Sequence, residues 1–481
     1  MNLRIFVVVI LFFIGNFCKG QDPFDLQINE LQSDSLMKGA TMGIVILNAG
    51  NDSTIFALNA DVSLVPASVL KLVTSGAALE ILGPDYTFKT RLATTGTIDR
   101  NTHYLNGDIV IIGGGDPTLG SIYFHDFYLN PPFLDRWITA ITNLGIRGIN
   151  GGIYVDESIY DGQTVPATWI WEDIGNYYGA GASGLTAYDN MFNLVFKSGK
   201  KAGNPVKLIE IDPRAKGLEF ENHVISSDNK VDNAFVYGSP WGNHRIIRGT
   251  IPKGEDKFTV KAAMPEPGLV LGKQLKSEML RKNIPVWGDV VRSPGGVKPV
   301  PFYTFESPPL SDIIKAMNHE SINLFAEHLA KQIAYEKKGV GSTKEGVGII
   351  RNFWEKKGID TKGMFLEDGS GLSRFNAVSP RQLASVLLYM KNKSPDSSLF
   401  VKSLPLVGEG TMDVFNPKYF SNGVLRCKSG SMTRVRSYAG YLKSNSGQQL
   451  IFVLMANNFS MSQSEMIHRM EGLLVALKKE N

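Results

Sequence analysis

Cysteine is almost absent from this chain, with two in 481 residues. Cys18 lies in an N-terminal apolar stretch and Cys427 near the far end. Removal of a leader after Gly20 would leave one cysteine, which excludes an internal disulfide and makes the fold depend on its core. An excess of charge of one sign is also missing. Fifty Lys and Arg face 46 Asp and Glu, a net charge of +4 that falls by two when Arg4 and Lys19 go with the leader. That balance is too mild for a nucleic-acid binder or a strongly membrane-adsorbed protein, and leaves room for peripheral membrane contact at most. The seven histidines show no metal-ligand spacing. His319-Glu320 does not begin an H-E-x-x-H site, because Asn323 stands at the second histidine position, and no metal or cofactor is expected. No segment beyond the leader reaches the ~18 continuous apolar residues of a membrane span. Repeats and low-complexity tracts are absent, and 43% hydrophobic residues with a small net charge exclude disorder.

What is present begins with that leader. Arg4 precedes the apolar run Ile5 to Ile14, and Cys18 and Gly20 occupy the −3 and −1 positions of a small-residue cleavage site. Residues 1–20 are therefore expected to be a secretory signal peptide, which sends the mature protein across the inner membrane to the periplasm. A lipoprotein anchored through Cys18 is the alternative, with bulky Phe17 against it. Asp25 to Met37 is loosely helical. Thr41 to Gly50 and Ser53 to Ala60 read as a hairpin about Gly50-Asn51-Asp52. A helix is expected from Pro66 to about Leu82. From about Thr87 to Val300 the chain is glycine-rich, with short strand-like runs and one clear helix near Leu134 to Leu144. "RSPGGVKPVP" (Arg292 to Pro301) has linker composition. Helices then return, followed by three strand-like runs from Val424 to Asn457 and an amphipathic helix from Glu465 to Lys478. The two ends together suit one antiparallel sheet flanked by helices, an α+β unit of residues 21–90 and 301–481. The inserted region, 91–300, is mostly β and is expected to hold two smaller nested domains.

The stretch "PASVLKLVTS" (Pro66 to Ser75) carries Ser68 three residues before Lys71 in an apolar run. That spacing puts both on one helix face. A serine hydroxyl is a weak nucleophile until a base takes its proton, and a desolvated lysine can be that base. A helix-start serine beside a solvated lysine would be the bland reading. Two further motifs weigh against it: Ser321-Ile322-Asn323 at a helix entry, and Lys428-Ser429-Gly430 inside a strand-like run. S-x-x-K, S-x-N and K-[ST]-G in this order are the signature of the penicillin-recognising serine acyl enzymes.

About 250 residues lie between Ser68 and Ser321, and an insertion of that length at that point resembles the D-alanyl-D-alanine carboxypeptidase/endopeptidases of the peptidase S13 type, the penicillin-binding protein 4 group. "LNGDIVIIGGGDPTLG" (Leu105 to Gly120), "SPPLSDIIKAMNHESINLFAEHL" (Ser307 to Leu329) and "EDGSGLSRFNAVSP" (Glu367 to Pro380) also resemble that family. Only the stretch from about Lys197 to Val291 matches loosely. The resemblance implies a penicillin-binding transpeptidase-like fold and a serine DD-peptidase acting on peptidoglycan stem peptides, with β-lactams as covalent inhibitors. It implies that Ser68 attacks the penultimate D-alanine carbonyl after Lys71 takes its proton. Ser321 would relay a proton to the leaving amine between Lys71 and Lys428, and Asn323 would hold the substrate amide and Lys71. Lys428 and Ser429 would bind the terminal carboxylate. Gly430 would admit the substrate backbone, and the N–H groups of Ser68 and Ser431 would form the oxyanion hole. Arg374 is placed near a substrate side-chain carboxylate and Asp189 near its free amine. Lys-Ser-Gly stands where the family more often has Lys-Thr-Gly.

Other patterns are decoys. "GAGASG" (Gly179 to Gly184) spells a dinucleotide fingerprint without the preceding strand it needs. "GGGDP" (Gly113 to Pro117) lacks the G-K-[ST] of a phosphate loop. Two rival functions remain on the same fold: a serine β-lactamase, disfavoured by the long insertion and the lack of a recognisable deacylation glutamate, and a non-catalytic cell-wall scaffold.

Overall fold

The structure, a computed structural model, describes residues 23–480 apart from 214–216, 295, 297 and 422. The expected leader lies outside these residues. Helix α1 (Pro23–Ser33) is followed by strands β1 (Thr41–Asn48) and β2 (Thr54–Leu58). A single 3₁₀ turn, Ala67–Leu70, then runs into helix α2 (Lys71–Leu82). The expected single helix from Pro66 thus divides at Lys71, and the motif serine sits in the tighter turn.

The inserted region comes next. Strands β3 (Lys89–Thr94), β4 (Ile109–Ile112) and β5 (Ile153–Asp156) flank helix α3 (Phe133–Asn143). They are followed by β6 (Met191–Lys197), β7 (Lys207–Asp212), β8 (Glu219–Ser227), β9 (Asn233–Tyr237), β10 (His244–Pro252) and β11 (Phe258–Ala263). Helix α4 (Pro267–Arg281), β12 (Val290–Arg292) and β13 (Val300–Glu306) complete it. One five-stranded sheet has the order β12-β5-β4-β3-β13. Its first and last strands in the chain, β3 and β13, pair antiparallel from Lys89↔Glu306 to Thr94↔Val300, so this pair runs across the expected boundaries at 90 and 301. Two three-stranded sheets, β7-β6-β11 and β8-β10-β9, enclose a separate core. Alternation does the sorting there: Phe192, Leu194 and Phe196 of β6 all point inward.

α4 corrects the expectation of one clear helix in this region. It begins with Pro267 in its first turn, where the missing N–H costs nothing. Its Gly268 and Gly272 obscure the pattern in the sequence. They are small for a reason: a Cβ on Gly272 would lie 2.6 Å from Val290, so the helix can approach the sheet only with glycine there.

The chain then returns with α5 (Leu310–Glu320), α6 (Asn323–Lys338), α7 (Thr343–Lys356) and α8 (Pro380–Asn392). It closes with β14 (Leu425–Met432), β15 (Val435–Lys443), β16 (Gln449–Asn457) and α9 (Gln463–Glu480). Its strands join the first hairpin in a five-stranded antiparallel sheet, β14-β15-β16-β1-β2. β1 and β16 are buried on both faces, and side-chain alternation assigns each residue to a layer. Val45, Leu47, Ile451 and Val453 face the core under α2, α5, α6, α7 and α8. Ile44, Ile46, Phe452 and Leu454 face the core under α1 and α9.

α2 lies at the centre of the larger core, with every residue from Lys71 to Leu79 buried. A helix apolar all round belongs inside a protein. Trp354 of α7 fixes its position. The Trp354 indole donates to the Val73 carbonyl at 3.1 Å, and its ring fills the space that a Cβ on Gly76 would contest at 3.0 Å. Trp354→Ala should cost about 3–5 kcal/mol, as for other buried aromatics. Chemical denaturation checks this, and a loss below ~1 kcal/mol would show that Trp354 does not hold α2.

Candidate active site

The nucleophile's position follows from the 3₁₀ turn. In a 3₁₀ helix, side chains at i and i+3 eclipse, and the Lys71 Nζ lies 3.1 Å from the Ser68 Oγ. Ala67, just before the serine, has φ +50, a left-handed conformation uncommon outside glycine. Two tight contacts hold the turn in that shape. A Cβ on Gly371, itself at φ +86, would lie 2.0 Å from the Ala67 carbonyl oxygen. One on Gly430 of β14 would lie 2.8 Å from the Pro66 oxygen and 3.0 Å from the Ser68 nitrogen. Gly430 therefore has a reason in this structure besides the expected room for substrate: it lets the strand touch the serine's own turn.

Lys71 is fully buried, and its amine meets three oxygens. It donates to Asn323 Oδ1 at 2.6 Å and to the Ser370 carbonyl at 2.7 Å, beside the Ser68 contact. Burial pulls its pKa down to about 7, against the opposing pull of the Asp368 and Glu327 carboxylates. Asn323 opens α6 and is fixed at its other end, where Nδ2 donates to the Tyr178 carbonyl at 2.8 Å. Ser321 ends α5 in the left-handed region, φ 59, and its side chain has no hydrogen-bond partner among the described residues.

β14 is an edge strand. Its first half is covered by the chain at Pro405-Leu406, through the Cys427 amide and a bridge between Leu406 and Arg426. Its second half borders the cleft through Ser431 and Met432. Lys428 is fully buried behind the cleft wall, with Nζ 2.9 Å from the Ser429 carbonyl. Burial first, and the nearby Lys71 second, hold its pKa well below the usual lysine value. The Ser429 hydroxyl donates to Thr411 Oγ1 at 2.9 Å, and Thr411 lines the cleft.

The cleft has a volume of about 420 Å³ and gathers Ser68, Ser321, Asn323, Ser431, Arg374 and Asp189 on its walls. Lys71, Lys428, Ser429 and Gly430 lie just behind it. Asp189, from the inserted region, is 3% exposed at φ 55 and accepts the Ile122 amide at 3.0 Å. Burial raises its pKa to about 6, against the hydrogen bonds it accepts. Arg374 is exposed. Its guanidinium and the Tyr178 hydroxyl oppose the upward pull of burial on Asp173. Among the described residues, no group of His, Cys, Asp and Glu could hold a metal ion.

Sequence reasoning missed several members of this site. Ser370 contributes a main-chain carbonyl, which no side-chain pattern reveals. Glu327 looks like a surface charge in "FAEH", yet it is fully buried, accepts the Gly369 and Ser370 amides at 3.0 and 2.9 Å, and is raised by burial to about 8. Asp368 stands in "EDGSGLSR", a stretch that resembles the family and in which only Arg374 is expected to be functional. It accepts four donors: the amides of Gly371 and Ser373, the Asn376 amide group and the Trp169 indole. Thr411, Tyr123 and Tyr178 line the cleft without any motif of their own.

Comparison with known proteins places this arrangement. The sequence matches the family described as D-Ala-D-Ala carboxypeptidase 3 (S13) over residues 25–479. It is 28% identical to a D-alanyl-D-alanine carboxypeptidase of an Actinomadura species, covering 90% of this chain and 80% of that protein. It is 24% identical to the D-alanyl-D-alanine carboxypeptidase DacB of Haemophilus influenzae, covering 92% and 90%. The fold is similar to the crystal structure of penicillin binding protein 4 (dacB) from Haemophilus influenzae, with TM-score 0.77 at 23% identity over 92% of this chain and 97% of that one. A match that takes in both halves of the main sheet, the inserted region and every element meeting at Ser68 leaves one conclusion: the chain belongs to the D-Ala-D-Ala carboxypeptidase 3 (S13) family.

Proposed function

We propose that the protein is an exported serine DD-peptidase, freed of residues 1–20, that hydrolyses D-alanyl–D-alanine ends, D-alanyl cross-links or both in the stem peptides of peptidoglycan in the periplasm. The single observation that carries the reading is the buried Lys71 amine against Ser68 Oγ, at 3.1 Å. Family membership and the names of its relatives support the substrate class.

The chemistry runs as follows. Lys71, as a free amine, takes the Ser68 proton while Oγ attacks the penultimate D-alanine carbonyl. The carbonyl oxygen becomes an oxyanion beside the Ser68 and Ser431 amides. Ser321 returns a proton to the leaving amine, the C–N bond breaks, and an acyl ester remains on Ser68. Water then cleaves the ester and regenerates the hydroxyl. The substrate backbone extends along the open half of β14, in the manner of a peptide added to a sheet edge. The Lys428 side chain is buried behind that edge, so it serves the terminal carboxylate through its charge while Ser429 and Thr411 offer hydroxyls. Asp189 and Arg374 line the cleft with opposite charges, which suits a stem-peptide side chain bearing both an amine and a carboxylate. β-Lactams acylate Ser68 by the same attack on their ring carbonyl.

Incubation with purified muropeptides followed by mass spectrometry should show loss of one D-alanine, opening of cross-links or both. Ser68→Ala should abolish both activities and all labelling by fluorescent penicillin, and Lys71→Ala should lose nearly all labelling. Unchanged labelling of Lys71→Ala would remove lysine from the proton transfer. Many rapid cycles of nitrocefin hydrolysis would favour a β-lactamase.

The pH dependence has a definite sign. Lys71 is active as the free amine, and its pKa lies near 7 rather than at the ordinary 10.5. Acylation by penicillin should therefore rise with pH and reach half its plateau near pH 7. Stopped-flow acylation rates across pH measure this, and a half-point near 10 would mean that Lys71 behaves as a solvated lysine.

A further inference from the structure

Lys71 Nζ has three oxygen neighbours with different capacities. Asn323 Oδ1 and the Ser370 carbonyl can only accept hydrogen bonds, whereas Ser68 Oγ can accept or donate. A neutral amine has two N–H bonds and one lone pair. With both N–H bonds committed to the two carbonyl oxygens, the lone pair is left toward the Ser68 hydroxyl. After the proton moves, the ammonium gives its third N–H to Ser68 Oγ, and no group needs to turn. The direction of the lone pair thus depends on two acceptors, and one of them belongs to the backbone at Ser370.

That backbone is held from both sides. Glu327, one helical turn after Asn323 on α6, accepts the Gly369 and Ser370 amides through a single oxygen, Oε1. Thr74, on α2, donates its hydroxyl to the Gly369 carbonyl at 2.7 Å. All four residues are buried. The amides of a turn otherwise need water or another acceptor, and burial denies them water.

We propose that Glu327 is a positioning residue for the proton transfer: by gripping the 369–370 turn it sets the Ser370 carbonyl that aims the Lys71 lone pair at Ser68. The proposal rests on Lys71 being the base. It assigns Glu327 no contact with substrate and no role in substrate affinity. The carbonyl oxygen of glutamine has the same two-acceptor capacity as Oε1, so the function belongs to the acceptor and not to the charge.

The test separates binding from acylation. Stopped-flow acylation by a β-lactam gives the initial dissociation constant and the acylation rate constant, both measured on the alkaline plateau where Lys71 is unprotonated. Glu327→Ala should lower the rate constant by about tenfold or more, the worth of one to two buried hydrogen bonds, with the dissociation constant unchanged. Glu327→Gln should restore it to within about threefold of the wild type. Thr74→Val, nearly isosteric, should lower the rate constant in the same direction, and decides the question if Glu327→Ala does not fold. Wild-type acylation by Glu327→Ala or Thr74→Val would overturn the proposal, as would Glu327→Gln being as slow as Glu327→Ala. Such results with Lys71→Ala inactive would leave the role of Lys71 standing; an active Lys71→Ala would remove that role itself.

Discussion

An ammonium taken from water into a protein interior loses several kcal/mol of solvation, and a partner must return much of it or the group gives up its proton. Burial moves Lys71 toward the second, with its pKa lowered to about 7. Its surroundings supply carbonyl acceptors rather than a contacting carboxylate, so the amine is held in place without being pinned in its charged form. Of the two nearby acids, Glu327 uses Oε1 on the Gly369 and Ser370 amides while its Oε2 has no partner among the described residues, and Asp368 spends both oxygens on the Gly371 and Ser373 amides, Asn376 and Trp169. They reach Lys71 through the field and not through an ion pair. A direct carboxylate contact would have stabilised the ammonium and removed the base.

The same logic explains why the inserted region is built into the site. α6 carries Glu327, His328, Lys331 and Gln332 on its buried surface and half-buried Asn323 at its start, an unusual load of polar groups for one helix. Each needs a partner, and many of the partners come from the insertion. Asn323 reaches the Tyr178 carbonyl, and the His328 ring lies 2.8 Å from both the Gly115 carbonyl and the Thr186 hydroxyl. Lys331 bonds to Asp161 and to the Gln163 carbonyl, and Tyr160 to Gln332. Without these loops the helix would expose unpaired polar atoms in a dry interior, so the insertion and the catalytic helix hold each other in register. Asp189 and Tyr177 reach the cleft on the same loops.

How much of this could be read from the sequence depended on how local each feature is. Ser68 with Lys71, Ser321 with Asn323, and Lys428 to Gly430 are each contained in a few residues, and their order and separation carried the family resemblance. The flanked antiparallel sheet was legible because β1 and β16 are apolar in unbroken runs. The 3₁₀ turn was not, because Ala67 holds its left-handed conformation through contacts with Gly371 and Gly430, each hundreds of residues away. Helix α4 was missed because glycines interrupt its apolar pattern. Glu327 and Asp368 were hidden for a related reason. Burial of an acid is decided by what packs over it, and four-residue spacing from Asn323 looks the same on a solvated helix. The Ser370 carbonyl has no side-chain signature at all.

Lys428 is the second buried amine beside Ser68's turn. It lies buried behind the cleft wall, depressed in pKa by burial and by its neighbour Lys71. Two buried lysines so close cannot both hold a proton cheaply, so protonation of one disfavours protonation of the other. Under the proposed function, a carboxylate arriving over Ser429 and Thr411 would change that balance, since an anion favours the charged form of Lys428. A proton settled on Lys428 would in turn oppose one on Lys71. Under the proposed function, substrate binding and base activation would then be linked through two buried amines, and a ligand without the terminal carboxylate would lose that link.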